Sequence, residues 1–325
     1  MRFPRAAHPL RRITYGPVPS RRLGRSLGID LLPMKSCSYD CVYCQLGPTL
    51  RPRFKRMEFI QPELVGRAVR QALEKGGPVD VLSFSGSGEP TLDKHLGTTI
   101  RLLKRLFGLP IAVITNGSLL YRRDVREALR EADLLLPSMD GWTEPMFRRI
   151  NRPHPLLKLE KVLDGLVSLR KEFKGQIWLE VFLVQDVNDS LEHVPGLIQW
   201  LQRINPDRVQ LNSLSRPPAE AWVRAPSPER IKEIRDALGP RAEIVVPFKG
   251  LQEKASIEDL EQRIVETVTR RPLCPEDLSS LFGLEPAFAR RLMQDLSRKN
   301  SWKAHSVGGR TYYRAKQLRP GEPSK

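Results

Sequence analysis

The sequence predicts an α/β fold: a partial parallel (β/α)6 barrel, followed by a smaller helical module that ends in a hairpin. Three observations predict it. Short apolar runs alternate with helix-periodic segments from residue 27 to about 246, the grammar of repeated βα units. Clusters of Cys, Gly, Asn, Ser and Asp recur just after those runs, at the C-terminal strand ends where a parallel barrel carries its site. Beyond residue 255 the pattern becomes helical and then turns back on Gly308-Gly309.

Residues 1–26 hold Pro4, Pro9, Pro17 and Pro19 among seven arginines. That is too broken for a long element, and an irregular basic arm is expected. Residues 27–32 read as a strand ended by Pro33, delivering a cysteine loop. Gln61-Pro62-Glu63 opens a helix with proline in its first turn, Leu64, Val65, Ala68, Val69, Ala72 and Leu73 make its inward stripe, and Gly76-Gly77 stops it. A strand over 79–84 leads into Gly86-Ser87-Gly88-Glu89-Pro90 and a helix over 93–107. The strand over 111–114 ends at Thr115-Asn116-Gly117 and is followed by a helix over 122–131; the strand over 134–136 ends at Ser138-Met139-Asp140. A helix over 158–173, a strand over 177–184, a helix over 190–203 and a strand over 209–212 continue the alternation. Ser227-Pro228-Glu229 then caps a helix reaching Leu238, and a last strand covers 242–246. After a linker over 247–255 come a helix capped by Ser256, helices over 275–282 and 286–299, and a hairpin over 302–314. Three domains are therefore expected: the arm at 1–26, the barrel at 27–250 and the tail module at 256–318.

Composition narrows the setting. The chain is 40% hydrophobic, enough for a sizeable core, and no run of about 18 uncharged apolar residues exists to span a membrane. The first residues are basic but lack the apolar segment of a secretory signal, and clustered free cysteines suit a reducing interior, so a cytoplasmic location is expected. The net charge of +17 is uneven: residues 1–60 carry 12 Lys and Arg against 3 Asp and Glu, and residues 256–325 carry 13 against 9. A positive field around the cysteine loop would attract a polyanion or a phosphorylated substrate.

Three of the four cysteines, Cys37, Cys41 and Cys44, fall within eight residues. Cys-x3-Cys-x2-Cys lets one loop wrap three corners of an iron-sulfur cluster and leaves one corner without a protein ligand. A structural zinc site closes with four protein ligands. The nearest histidines in sequence are His8 and His95, so a 4Fe-4S cluster with one open iron fits better than zinc. Three crowded thiols and a distant Cys274 also make poor disulfide arithmetic.

The cysteine spacing, Tyr43 before the last cysteine and Gly86-Ser87-Gly88-Glu89-Pro90 together resemble the radical S-adenosylmethionine (SAM) superfamily. Residues 15–33 with 37–47 look like the group that holds the wyosine-forming tRNA enzymes and their relatives. The resemblance covers about residues 13–250. It implies that Cys37, Cys41 and Cys44 ligate the cluster, whose open iron chelates the amino and carboxylate groups of SAM, and that reductive cleavage yields a 5′-deoxyadenosyl radical. It also implies an external electron donor of flavodoxin or ferredoxin type. Gly86 and Gly88 would let backbone approach the methionine end, with Glu89 near its ammonium. Family members more often place two adjacent glycines before the Glu, whereas here Ser87 intervenes. Asn116, Ser138 and Asp140 stand where the family contacts ribose or methionine, and Tyr43 joins them as a cofactor-side residue. Their plain alternative is turn chemistry.

Other candidates are Glu180, which needs a partner if buried, Arg152 and His154 in the stiff loop 151–155, and the polar run 185–189. Cys274 reads as a packing residue near a helix start. The tail resembles a winged helix-turn-helix module, with Arg290, Arg291, Arg298 and Lys299 on its last helix and Lys303, Arg310 and Arg314 on its wing. Such modules bind nucleic acid or dock proteins. The expected function is a radical SAM enzyme acting on a tRNA or other RNA base. Wyosine formers of archaea carry extra cysteines for a second cluster and eukaryotic ones a flavin domain; this chain has neither, so the reading extends to the chemistry and not to that product. A radical SAM activase or peptide-modifying enzyme is the alternative within enzymes, and an iron-sulfur transcription regulator the alternative outside them.

Overall fold

Strands buried on both faces call for a parallel sheet with helices outside it, and the centre of this chain is built that way. The computed structural model describes residues 13–20, 22–75, 78–245 and 257–315. The Gly76-Gly77 stop, the Ser256 cap, the arm before residue 13, the whole linker over 247–255 and residues 316–318 lie outside them. The chain divides into two compact units, residues 1–214 with 218–248, and residues 249–325 with 215–217.

In the first unit β1 (Thr14–Ser20), β2 (Gly24–Ile29), β3 (Val81–Phe84), β4 (Ile111–Thr115), β5 (Leu134–Pro137), β6 (Gln176–Leu183), β7 (Arg208–Ser213) and β8 (Ala242–Ile244) form one sheet in strictly sequential order. Only β1 and β2 are antiparallel; every later pair is parallel. All four residues of β3 are buried, and its one hydroxyl, on Ser83, is satisfied by Ser26 at 2.7 Å. Each crossover is helical: α1 (Pro62–Lys75), α2 (Leu96–Phe107), α3 (Arg123–Leu129), α4 (Glu144–Asn151), α5 (Leu159–Glu172), α6 (Val194–Ile204) and α7 (Pro228–Leu238). Leu96, Ile100 and Leu103 of α2 are fully buried, and each buried side chain of this size contributes roughly 1.5–3 kcal/mol. Gly108 ends α2 at φ +63 with its N–H on the Lys104 carbonyl (3.0 Å), the left-handed stop that glycine takes without strain. Ser227 caps α7, its Oγ accepting from the Arg230 N–H at 3.1 Å.

The structure departs from the sequence expectation in two places. Residues 14–20 are a strand and not part of an irregular arm. β1 is an edge strand, and an edge leaves amides unpaired, so Pro17 and Pro19 are tolerated there. Gly28 makes the pairing possible: a Cβ at that position would lie 2.1 Å from Cζ of Tyr15. The second departure is α4, a short helix with Pro145 in its first turn and Arg152 at φ +43 closing it. The sequence expectation assigned no element to residues 141–150 and a loop to 151–155; Gly141, Pro145 and Pro153 hide the helix there.

The second unit holds α8 (Ile257–Arg270), α9 (Pro275–Phe282), α10 (Pro286–Lys299) and the antiparallel hairpin β9 (Lys303–Val307) and β10 (Arg310–Arg314). Gly308 and Gly309 turn it at φ +55 and +71. Ile264, Val268, Leu278, Met293 and Tyr313 share its core. Cys274 is fully buried at the start of α9, with its N–H on the Asp277 carboxylate at 3.1 Å. No helix among the described residues is long and apolar enough to cross a membrane.

Candidate active site

The parallel strands bring their C-terminal ends to one edge, and the sequence-predicted residues gather there. The cysteine loop is fastened to that edge by backbone. Ser36 bridges Gly88, and the Glu89 N–H donates to the Ser36 carbonyl at 2.9 Å. Val42 N–H donates to Ile150 O at 2.9 Å, and Arg53 N–H to Cys37 O at 2.7 Å. The loop is thus held by the β3 turn on one side and the end of α4 on the other.

Cys37, Cys41 and Cys44 are free thiols, partly accessible to solvent yet largely surrounded by protein. Each sulfur receives one side-chain N–H donor. Asn116 Nδ2 lies 3.4 Å from Cys37 Sγ, Asn151 Nδ2 3.5 Å from Cys41 Sγ, and Lys35 Nζ 3.1 Å from Cys44 Sγ. Burial, helped by the Glu89 carboxylate, pushes the Cys37 thiol up to about 12. Burial and then the Asp140 carboxylate hold Cys41 well above its ordinary range. Such thiols give up their protons to a metal cation and not to neutral water. Among the described residues no group of three or more His, Cys, Asp or Glu side chains is arranged to hold one metal ion. Three soft sulfur donors, each with an N–H behind it, fit an iron-sulfur cluster.

The glycine turn has no room for side chains. Gly86 has φ +132, and a Cβ on it would meet Asp30 Cγ at 2.6 Å; a Cβ on Gly88 would lie 1.9 Å from the Ser36 carbonyl oxygen. Asp30, which the sequence reading passed over, organises this turn: its carboxylate accepts from Ser87 Oγ (2.5 Å), Ser87 N–H (3.1 Å) and Leu32 N–H (3.3 Å). An acidic residue at the end of an apolar strand was the available signal.

Glu89 is buried, with three donors on Oε1 and one on Oε2. It accepts from Thr91 N–H (3.1 Å), Thr91 Oγ1 (2.6 Å), Thr115 Oγ1 (2.6 Å) and Asn116 N–H (2.6 Å). Burial raises its pKa against the pull of those four donors. It braces the β3 and β4 turns against each other.

Asp140 links the other half of the site. It accepts from Tyr43 Oη (2.5 Å), Asn151 Nδ2 (2.7 Å) and Phe182 N–H (3.0 Å), and burial pushes it up to about 6. Tyr43 stacks on Phe182 at 3.8 Å and 10°. Asn116 Oδ1 accepts from Ser118 N–H at 2.9 Å, while the half-buried Ser138 hydroxyl has no hydrogen-bond partner among the described residues. Glu180 finds the cation its burial required in Arg22, with Asn212 Nδ2 at 3.2 Å. Arg152 pairs with Glu220 at 2.5 Å, and the His154 ring lies 4.4 Å from that of Phe54. Asp186 and Asp189, from the run 185–189, line a surface cavity of about 360 Å³ with His193 and Arg230. None of those four belongs to the residues around the thiols. Lys35, Asn151 and Arg22 joined the site only in three dimensions.

The family model described as the radical SAM superfamily matches residues 31–201. A UPF0026 protein of Methanocaldococcus jannaschii is 37% identical over 83% of this chain and 86% of its own length. A dual-specificity RNA methyltransferase RlmN of an Anaeromyxobacter species is 29% identical over 70% of this chain and 60% of its own. Of one longer relative, 33% identical, the chain spans only 44% of the length. Among solved structures, a radical SAM methyltransferase from Sphaerobacter thermophilus superposes with a TM-score of 0.52 at 20% identity, over 67% of this chain and 65% of that one.

Proposed function

Because the chain belongs to the radical SAM superfamily, with UPF0026 proteins among its relatives, we propose that Cys37, Cys41 and Cys44 are the three ligands of its 4Fe-4S cluster. The chain is an iron-sulfur enzyme of the SAM-cleaving kind. When bound, a cluster of this class supplies one electron to the sulfonium of SAM, giving methionine and a 5′-deoxyadenosyl radical that abstracts hydrogen from substrate. The observation that carries the assignment is the convergence of one N–H donor on each of the three sulfurs.

The remaining roles follow from what each residue leaves free. The turn at Gly86 and Gly88 presents bare backbone to the methionine end, and Glu89 holds that turn rigid. The unpartnered Ser138 hydroxyl is the group of the β5 turn best placed to bind a hydroxyl or carboxylate. Asp140 fixes Tyr43 against Phe182, so the tyrosine ring bounds the cofactor space. Asn116 shares its amide between Cys37 and Ser38 (2.9 Å), tying cluster and cofactor sides together. The strand ends belong to a partial (β/α)6 barrel over residues 27–250, extended on its N-terminal side by β1 and the start of β2.

An RNA base, of tRNA foremost, is the substrate class this reading favours, and the enzyme works in the cytoplasm. Arg51, Arg53 and Lys55 are exposed at alternate positions, and none has a side-chain partner among the described residues. Arg53 carries this row on a backbone bond to Cys37, so the cations stand beside the chemistry, as phosphate contacts that position a base would. Arg56 of the same run is buried and structural, bound to Asp124 (2.9 Å) and to the Thr91 and Asp93 carbonyls. The tail at 256–318 is a winged-helix module for nucleic acid or a protein partner, and the electron comes from a flavodoxin- or ferredoxin-type donor. Anaerobic reconstitution, then dithionite and SAM, tests the assignment: 5′-deoxyadenosine forms with the wild type and not with Cys41→Ala. Equal product from both proteins would refute it.

A further inference from the structure

Lys35 holds a position that a turn would ordinarily give to glycine. Its φ is +60, a left-handed conformation that costs an L-residue roughly 1–2 kcal/mol. Its N–H is fixed on the Ser87 carbonyl at 2.7 Å, so the strain is maintained by the same β3 turn that fastens the cysteine loop. From there the half-buried side chain runs to Cys44, with Nζ 3.1 Å from Sγ. Among the described residues no carboxylate pairs with this ammonium, and the sulfur is its one side-chain partner. The donors on the other two sulfurs, Asn116 and Asn151, are neutral amides. The trio is therefore electrically asymmetric: one formal positive charge, at the Cys44 corner.

One-electron reduction adds a negative charge to the cluster and its thiolates. A cation at hydrogen-bond distance stabilises the reduced form more than the oxidised one, and hydrogen bonds to ligand sulfurs and local charge are established levers on such potentials. We propose that Lys35 raises the reduction potential of the cluster held by Cys37, Cys41 and Cys44, bringing it within reach of a low-potential one-electron donor of flavodoxin or ferredoxin type. The inference rests on the ligand assignment above. The electron passes from donor to cluster with no bond made or broken. Lys35 is a positioning residue, acting through Cys44 and touching no reacting atom of SAM or substrate.

The test compares the reconstituted wild type with K35M, K35G and K35R, using redox titration followed by the EPR signal of the reduced cluster, without SAM. Iron and acid-labile sulfide are measured first. K35M and K35G are expected to load as much cluster as the wild type and to show a more negative midpoint. At the wild-type midpoint their ratio of reduced to oxidised cluster falls about tenfold, which is 59 mV for a one-electron couple. K35R keeps the charge and stays near the wild type. K35G also releases the backbone strain, so its urea midpoint is at or above that of the wild type, separating an electrostatic role from a folding role. Unchanged midpoints in K35M and K35G, or an equal drop in K35R, overturn the inference while leaving the ligand assignment standing. A wild type that takes up no cluster removes the assignment and the inference together.

Discussion

Gly88→Ala is the sharpest perturbation this site offers, because the obstacle is backbone and not a flexible side chain. The added Cβ would stand 1.9 Å from the Ser36 carbonyl oxygen, 2.7 Å from the Ser36 carbonyl carbon and 3.1 Å from Leu32 Cδ1. Bringing that oxygen back to van der Waals contact takes a displacement of roughly 1.5 Å, more than a packed backbone gives up without loss. Ser36 sits one residue before Cys37, and its carbonyl accepts the Glu89 N–H at 2.9 Å while Lys35 N–H donates to Ser87 at 2.7 Å. Overpacking costs about 1–3 kcal/mol, and two weakened hydrogen bonds add about 1 kcal/mol each, for a loss of about 3–5 kcal/mol. With a urea slope of about 3 kcal/mol/M, the midpoint falls by about 1–2 M. Gly108→Ala is the control: its φ is +63, but a Cβ there meets nothing within 4 Å, so it bears only backbone strain of roughly 1–2 kcal/mol. Urea unfolding followed by tryptophan fluorescence, together with iron content after reconstitution, reads both effects. A Gly88→Ala protein no less stable than Gly108→Ala and loading iron normally would refute the claim that the glycine turn and the cysteine loop are locked together.

Two further outcomes follow. Burial pushes Asp93 up from 3.8 to about 6; its Oδ1 accepts the His95 N–H at 2.7 Å, while Oδ2 is buried without a partner. Because the folded pKa is the higher one, the contribution is full below about pH 4 and is lost as pH rises to about 6, a change of about 3 kcal/mol that Asp93→Asn abolishes. Urea midpoints of the two proteins across that window test it, and a pH-independent difference between them would contradict it. Replacing Arg51, Arg53 and Lys55 together by Ala is expected to leave the urea midpoint unchanged and to weaken RNA binding. The slope of log affinity against log salt should fall by about 2, or about 0.7 per lost single-strand phosphate contact. An unchanged slope in a filter-binding series would remove RNA from that face.

Much of the fold was legible because parallel strands announce themselves: runs such as Val81 to Phe84 and Ile111 to Thr115 are apolar but for one hydroxyl each and stop at Ser85 and Asn116. β1 was not legible, since Pro17 and Pro19 signal a break unless the strand is known to lie at an edge, which is a property of the sheet and not of the segment. The same division runs through the site. Cys37, Cys41, Cys44, Gly86, Gly88, Asn116 and Asp140 could be placed together at the strand ends because they follow strands in recognisable clusters. Lys35, Asn151 and Arg22 were not, because what qualifies them is a partner 9, 110 or 158 residues away. For Glu89 the sequence offered a carboxylate after a strand, and only the fold shows the four donors that fix it between the β3 and β4 turns.

That bracing bears on how the site works as a whole. Glu89 raises the cost of ionising Cys37 and Asp140 that of ionising Cys41, so these two thiols favour the neutral form, and their deprotonation is driven by the charge of the metal they bind. Once three thiolates exist, the surrounding groups can only redistribute their negative charge. The two asparagine amides do so as dipoles, Glu89 keeps its own charge turned toward Thr91, Thr115 and the Asn116 N–H, and Asp140 directs its own to Tyr43, Asn151 and Phe182. Lys35 alone of the three sulfur donors brings a full positive charge. The carboxylates therefore set the rigidity of the edge while the lysine sets its electrical balance, and the two functions can be separated by mutation: changes at Gly88 or Glu89 loosen the loop, and changes at Lys35 alter the potential of a loop that stays in place.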